Sequence, residues 1–159
     1  MSIGHFDPRL ADVDDSGDIA RLLHDFNTEY GVSSPGPDAL RARLEDLLAA
    51  DSTFAVIAGS PPSAVAVVTL RPNVWYAGPV ALLDEMYVEP NLRGQGVGAA
   101  VIELSIATCT TRGVELIEIN VDEGDIEAQR FYRRHGFVSS EPGSAERSFY
   151  FRMELGSEA

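Results

Sequence analysis

The amino-acid sequence predicts a single α/β domain built on a mixed sheet, mostly antiparallel with one parallel strand pair. Three observations carry this. Two β-branched runs, Thr53–Ala58 and Ala64–Leu70, are separated only by a short turn containing Ser60-Pro61-Pro62-Ser63, which joins antiparallel neighbours. Val80–Val88 and Leu116–Val121 also read as strands, with a helical stretch between them, so they form a βαβ unit with a right-handed, parallel crossover. The chain has 159 residues, enough for one domain, and 45% apolar with 23% charged residues is sufficient for a core.

The elements follow in order. Asp18–Tyr30 places Ile19, Leu22, Leu23 and Phe26 on one helical stripe. Gly31–Pro37 (GVSSPGP) is a loop. Pro37–Ala50 is a second helix, with Pro37 suited to its first turn and Leu40, Leu44, Leu47 and Leu48 at helical spacing. Gly96–Arg112 is apolar on more than one side (Val97, Val101 and Leu104; Ile102, Ile106 and Cys109), which predicts close packing on a sheet. Leu116–Val121 alternates apolar and polar residues. Asp125–His135 ends at Gly136, a left-handed C-cap, with Phe137 placed to fold back. Arg147–Leu155 alternates Phe149, Phe151, Met153 and Leu155 and reads as a late strand. The order is β, α, α, β, β, β, α, β, α, β.

Charge narrows the partners. Twelve Lys and Arg stand against 25 Asp and Glu, a net charge of −13. Nucleic acid and anionic membrane surfaces are therefore not expected as partners, because phosphate recognition depends on clustered Lys and Arg. A small cationic molecule suits the balance. The single cysteine, Cys109, excludes an internal disulfide, and His5, His24 and His135 are too scattered for a zinc site, so no metal is expected. The start, MSIGHFDPRLADVDD, lacks the basic and apolar regions of a signal peptide, and no apolar stretch approaches the roughly 18 residues of a membrane span. A cytoplasmic domain is expected.

The most informative stretch is Leu82–Ala99, LLDEMYVEPNLRGQGVGA. A strand ends at Val88, a connector follows, and Gly94, Gly96 and Gly98 then alternate into a helix. A helix N-terminus offers unpaired N–H groups and partial positive charge, and glycine lets an anion approach the backbone. Arg93 adds charge. Gly94-x-Gly96-x-x-Ala99, with Asp122 about 20 residues further on, formally fits a dinucleotide fingerprint. Pro90 and the five-residue connector argue against it, since that motif turns directly from the strand. No Gly-Lys-Ser/Thr follows, so a Walker loop is excluded.

Arg93-x-x-Gly96-x-Gly98 resembles the acyl-CoA pyrophosphate loop of the GNAT superfamily of N-acetyltransferases, and Ala128-x-x-Phe131-Tyr132-x-x-x-Gly136-Phe137 resembles that superfamily's second landmark. Asp125 stands where the family usually has Asn, and can accept a hydrogen bond or cap the helix. Val121–Asp125 is also similar to a segment of some aminoglycoside 3-N-acetyltransferases.

The resemblance implies the GNAT fold, with a central parallel pair that splays where a bulge opens the first strand. It implies acetyl-CoA as cofactor, held by Arg93, Gly94, Gln95, Gly96, Val97, Gly98 and Ala99, by the backbone of Met86, Tyr87 and Val88, and by Asp125, Ala128 and Tyr132. It implies direct transfer of the acetyl group to an amine, with a backbone N–H near Val88 stabilising the oxyanion and Tyr132 protonating the departing thiolate. An amine of pKa about 10.4 must lose its proton before attacking, which calls for a carboxylate. Asp84 and Glu85 are the candidates, Glu85 preferred; adjacent strand residues face opposite sides unless a bulge intervenes. Polyamine acetyltransferases have a similar acidic pair. Glu29, Tyr30, Trp75, Tyr76, Asp122 and Glu123 are expected around a small-molecule amine, aminoglycoside- or polyamine-like, while Trp75 and Tyr76 can equally cover the sheet or a dimer interface. An acetyl-CoA-binding sensor and a protein or peptide N-acetyltransferase are the alternatives. A homodimer is open to the chain, with Arg147–Leu155 contributing. His24 and Cys109 are expected to be structural, and His135 carries no catalytic role.

Overall fold

The structure, a computed structural model, describes residues 6–156, so His5 lies outside them. Two compact units divide the chain, one up to Ile119 and one from Asn120.

The first unit is a five-stranded sheet in the order β1-β2-β3-β4-β5. Its strands are β1 (Pro8–Leu10), β2 (Thr53–Ala58), β3 (Ala64–Arg71), β4 (Val80–Val88) and β5 (Leu116–Glu118). All neighbours are antiparallel except β4 and β5, which are parallel. Helices α1 (Ser16–Glu29) and α2 (Pro37–Ala49) cover one face. There Ile19, Leu22 and Leu44 pack on Ala55, Ile57, Val65, Val67 and Tyr87. Burying each large aliphatic side chain contributes about 1.5–3 kcal/mol, so this cluster holds the two helices to the sheet. On β2 and β3 also rests α3 (Val97–Thr111), which buries Val97, Val101, Ile102 and Cys109. Burial pushes the Cys109 thiol up to about 11, and it packs as a core residue.

Two expectations need correction. The strand predicted over Leu116–Val121 stops at Glu118, where its pairing with β4 ends. The late strand predicted over Arg147–Leu155 does not form. Alternation alone does not make a strand, because backbone N–H and C=O groups need a ladder partner. Phe149, Phe151, Met153 and Leu155 are exposed in irregular chain. The strand that opens the predicted order is β1, Pro8–Leu10, whose three residues carry no period that could set its bounds.

The second unit contains α4 (Ile126–Arg134). The Asp125 carboxylate accepts from the Ala128 N–H at 3.0 Å and caps its start. Gly136, at φ 93°, ends it as predicted: the Phe137 N–H donates to the Tyr132 carbonyl at 3.0 Å, and the two rings meet edge to face. No helix among the described residues is long and apolar enough to cross a membrane.

Candidate active site

The site is organised by the way β4 loses a neighbour. Val80, Ala81 and Leu82 lie opposite Leu116, Ile117 and Glu118, and the parallel pairing then stops. From Leu83 to Val88 the strand keeps β3 on one edge and has no strand partner on the other among the described residues. The β3 ladder also breaks here. Val68 lies opposite Leu83 and Val67 opposite Glu85, which leaves Asp84 as an extra residue. This is a β-bulge. Glu85 lies across from Val67, on the face that α1 and α2 cover further along the sheet. Thr69, two residues along from Val67, shares that face and donates its hydroxyl to the Asp84 carboxylate. The bulge thus brings both carboxylates to one face, which an unbulged strand could not do. Glu85 is open to solvent but crowded by protein, and this desolvation, with the Asp84 charge beside it, raises its carboxyl above the ordinary range.

Beyond Val88 the chain enters the glycine segment. Gly94 (φ 76°) and Gly96 (φ 84°) adopt left-handed backbone, and a Cβ at either would meet only open space. Packing therefore does not demand these glycines; backbone conformation does, and they leave a cradle that side chains would fill. Gly96 caps α3 without a side-chain hydrogen bond, and the first intrahelical bond runs from the Ala100 N–H to the Gly96 carbonyl at 3.1 Å. The N–H groups of Val97, Gly98 and Ala99 thus precede the helical ladder, where they suit a diphosphate. Gln95 turns away and donates to the Asn91 carbonyl at 3.1 Å.

Arg93 donates Nε to the Val88 carbonyl at 3.0 Å and both terminal nitrogens to the Glu29 carboxylate at 2.8 and 2.9 Å. The Tyr87 hydroxyl donates to the same carboxylate at 2.9 Å. Arg93 holds the Glu29 carboxyl below the usual carboxylate range, and burial together with Glu29 pushes the Tyr87 phenol up to about 12. Glu29, expected at the acceptor wall, is instead engaged with Arg93 and Tyr87. Tyr30 is exposed beside it, its ring edge-on to Phe26.

Trp75 and Tyr76 lie in the β3–β4 loop, where Asn73 Oδ1 accepts both of their N–H groups at 2.8 Å. That loop joins the paired ends Arg71 and Val80, so the full length of β4 separates it from Val88. Trp75 is 87% exposed, which excludes the reading that it covers the sheet. Reasoning from sequence missed Thr69, because only the register shows it beside Asp84. His24 shares a 2.9 Å hydrogen bond with Ser34 and steadies the α1–α2 loop, as a structural residue should.

In the second unit, Tyr132 is buried between Phe131 and Phe137, and burial, with the Asp125 charge, raises its phenol well above the ordinary value. Glu123 pairs with Arg147 at 2.6 Å, and the Asp122 and Glu123 carbonyls accept from Gln129.

A model of the acetyltransferase (GNAT) family matches residues 19–137, and the chain belongs to that family. A protein of Arthrobacter sp. FB24 that carries the name acetyltransferase has the same fold, with a TM-score of 0.89 and 46% identity over 98% of this chain and 99% of that one. An uncharacterized N-acetyltransferase of Methanocaldococcus jannaschii is 37% identical over 62 residues; the match spans 39% of this chain and 27% of that longer protein. An aminoglycoside N-acetyltransferase crystallised with CoA shares the fold at a TM-score of 0.77 and 21% identity, over 95% of this chain and 96% of that one. The mixed sheet with its parallel pair is the fold of this family, and the chain is one of its acetyltransferases.

Proposed function

We propose that the acetyl donor is acetyl-CoA and the acceptor a primary amine of a small cationic molecule, aminoglycoside- or polyamine-like, acetylated by direct attack in a ternary complex. The observation that carries this reading is the bulge at Asp84, which sets two carboxylates side by side where β4 loses its β5 partner. A cationic amine is attracted to such a pair, and the net charge of −13 favours its approach.

Bound acetyl-CoA supplies an activated thioester; the chain's own residues do the rest. The N–H groups of Val97, Gly98 and Ala99, beside Gly94 and Gly96, hold the diphosphate. The open edge of Met86–Val88 offers backbone groups to the pantetheine arm, and an N–H near Val88 stabilises negative charge on the thioester oxygen. Glu85 takes the proton of the incoming ammonium: its raised pKa brings it closer to the amine's than an ordinary carboxylate would be. Asp84, anchored by Thr69, holds the cation in place. Tyr132, a phenol kept neutral by burial, takes from the family resemblance the role of proton donor to the departing thiolate. Asp125 acts as the cap of α4.

The test is thiol release from acetyl-CoA across a panel of aminoglycosides, polyamines, amino acids and peptides. We expect the multiply charged amines to give the highest rates, and Tyr132→Phe to lower kcat by about tenfold or more. CoA binding with no amine raising the rate overturns the transfer reading and favours an acetyl-CoA sensor.

A further inference from the structure

We propose that Glu29 is a positioning residue of the phosphate loop, acting through Arg93 and Tyr87, and not a contact for the acceptor. This rests on the reading that the CoA diphosphate sits at Gly94–Ala99. Glu29 is the last residue of α1, 64 positions before Arg93 and 58 before Tyr87. Its carboxylate accepts three donors: two guanidinium nitrogens of Arg93 and the Tyr87 hydroxyl. A third nitrogen of Arg93 holds the last carbonyl of β4 at Val88. One carboxylate thus ties together the end of a helix, the end of the open strand and the first residue of the glycine segment.

The surroundings reinforce this. The Tyr87 ring stacks on Phe26 of α1 with centroids 5.0 Å apart, and the Arg93 guanidinium carbon lies 5.6 Å from the same ring. Side-chain exposure of 27% for Glu29 and 41% for Arg93 leaves the pair partly shielded, where a bidentate, charge-assisted bond is stronger than at a bare surface. A segment with left-handed glycines at 94 and 96 has much backbone freedom to lose. Fixing its first residue in the folded protein removes part of that cost from ligand binding. With its charge offset by Glu29, Arg93 contributes to the anion site mainly by placing the backbone N–H groups that follow it.

Calorimetric titration of the full chain with CoA tests the proposal. Glu29→Gln and Arg93→Gln are each expected to weaken binding about tenfold, and the double variant by no more than either alone, because the two act as one unit. Tyr87→Phe, which removes one donor and keeps the ion pair, should weaken it about threefold, and it carries the test if Glu29→Gln does not fold. Single effects that multiply to about a hundredfold in the double variant overturn the proposal. So does a Glu29→Gln that lowers Tm, or raises KM for the amine, while its affinity for CoA stays at the wild-type value. Wild-type protein that binds no CoA overturns the acetyl-CoA reading instead, so the two failures are distinct.

Discussion

The two halves of β4 are built by opposite rules. Val80–Leu82 has strand partners on both edges and buries Val80 and Ala81. Next to it the backbone is so tight that a Cβ on Gly78 would overlap the carbonyl oxygen of Gly113. From Leu83 to Val88 only β3 is paired, the ladder is bulged, two carboxylates stand in the strand, and the glycines that follow face open space. Just before the first half, Gly78 is a glycine because protein presses on it; beyond the second, Gly94 and Gly96 are glycines because their backbone is left-handed, with open space around them. Strand positions satisfied by neighbours serve the fold, and those left unsatisfied are available to a ligand.

That contrast can be broken most severely at Gly96. Gly96→Asp forces a side chain into left-handed backbone and sets a negative charge at the phosphate cradle; CoA affinity should fall by about a hundredfold or more, with wild-type affinity in calorimetry refuting the placement. Glu85→Gln should lower kcat/KM by about a hundredfold near neutral pH, the scale of a lost general base, and by progressively less as rising pH supplies free amine. It also carries a sign that can be checked by melting. The folded-state pKa of Glu85 lies above its unfolded value, so its contribution to stability is favourable below the unfolded pKa and is lost as pH rises through the folded one. Glu85→Gln should therefore raise Tm at about pH 7 and leave it unchanged at about pH 4. A Tm that falls at neutral pH would contradict the desolvated carboxylate.

In the closed half the expected readout changes. Gly78→Ala should cost about 2–3 kcal/mol in denaturant unfolding while CoA affinity stays within about twofold, because the clash is with backbone far from the glycine segment. Thr69→Val should have the smallest effect, about a threefold drop in kcat/KM from a loosened Asp84, with stability nearly unchanged because the hydrogen bond is exposed. An equal loss in all amines tested would confine Thr69 to carboxylate placement; a loss in the multiply charged ones alone would make it a selectivity residue.

Much of this fold was legible because local pattern and tertiary environment agree. Thr53–Ala58 and Val80–Val88 form the predicted strands residue for residue: the first run is buried throughout, and the second is an apolar run buried at Val80, Ala81 and Leu83 before its two carboxylates. The helix after the glycines was legible for the same reason, and Gly136 because only a left-handed cap explains it. What was not legible depends on register or distance. The bulge at Asp84 leaves no mark on the sequence, because whether Asp84 and Glu85 share a face is decided by pairing with Val67 and Val68. Glu29 pairs with residues 58 and 64 positions away, and no periodicity couples them. Arg147–Leu155 shows the converse: its alternation is as regular as that of any strand, but it pairs with no strand among the described residues.

The extra residue in β4 has one more consequence. Because Val68 meets Leu83 and Val67 meets Glu85, excising Asp84 would leave an unbroken ladder in which every remaining side chain keeps its side. The second carboxylate is thus an insertion the scaffold tolerates, not a replacement for something the core requires. One codon gained or lost would be enough to add or delete it without any repacking of the interior.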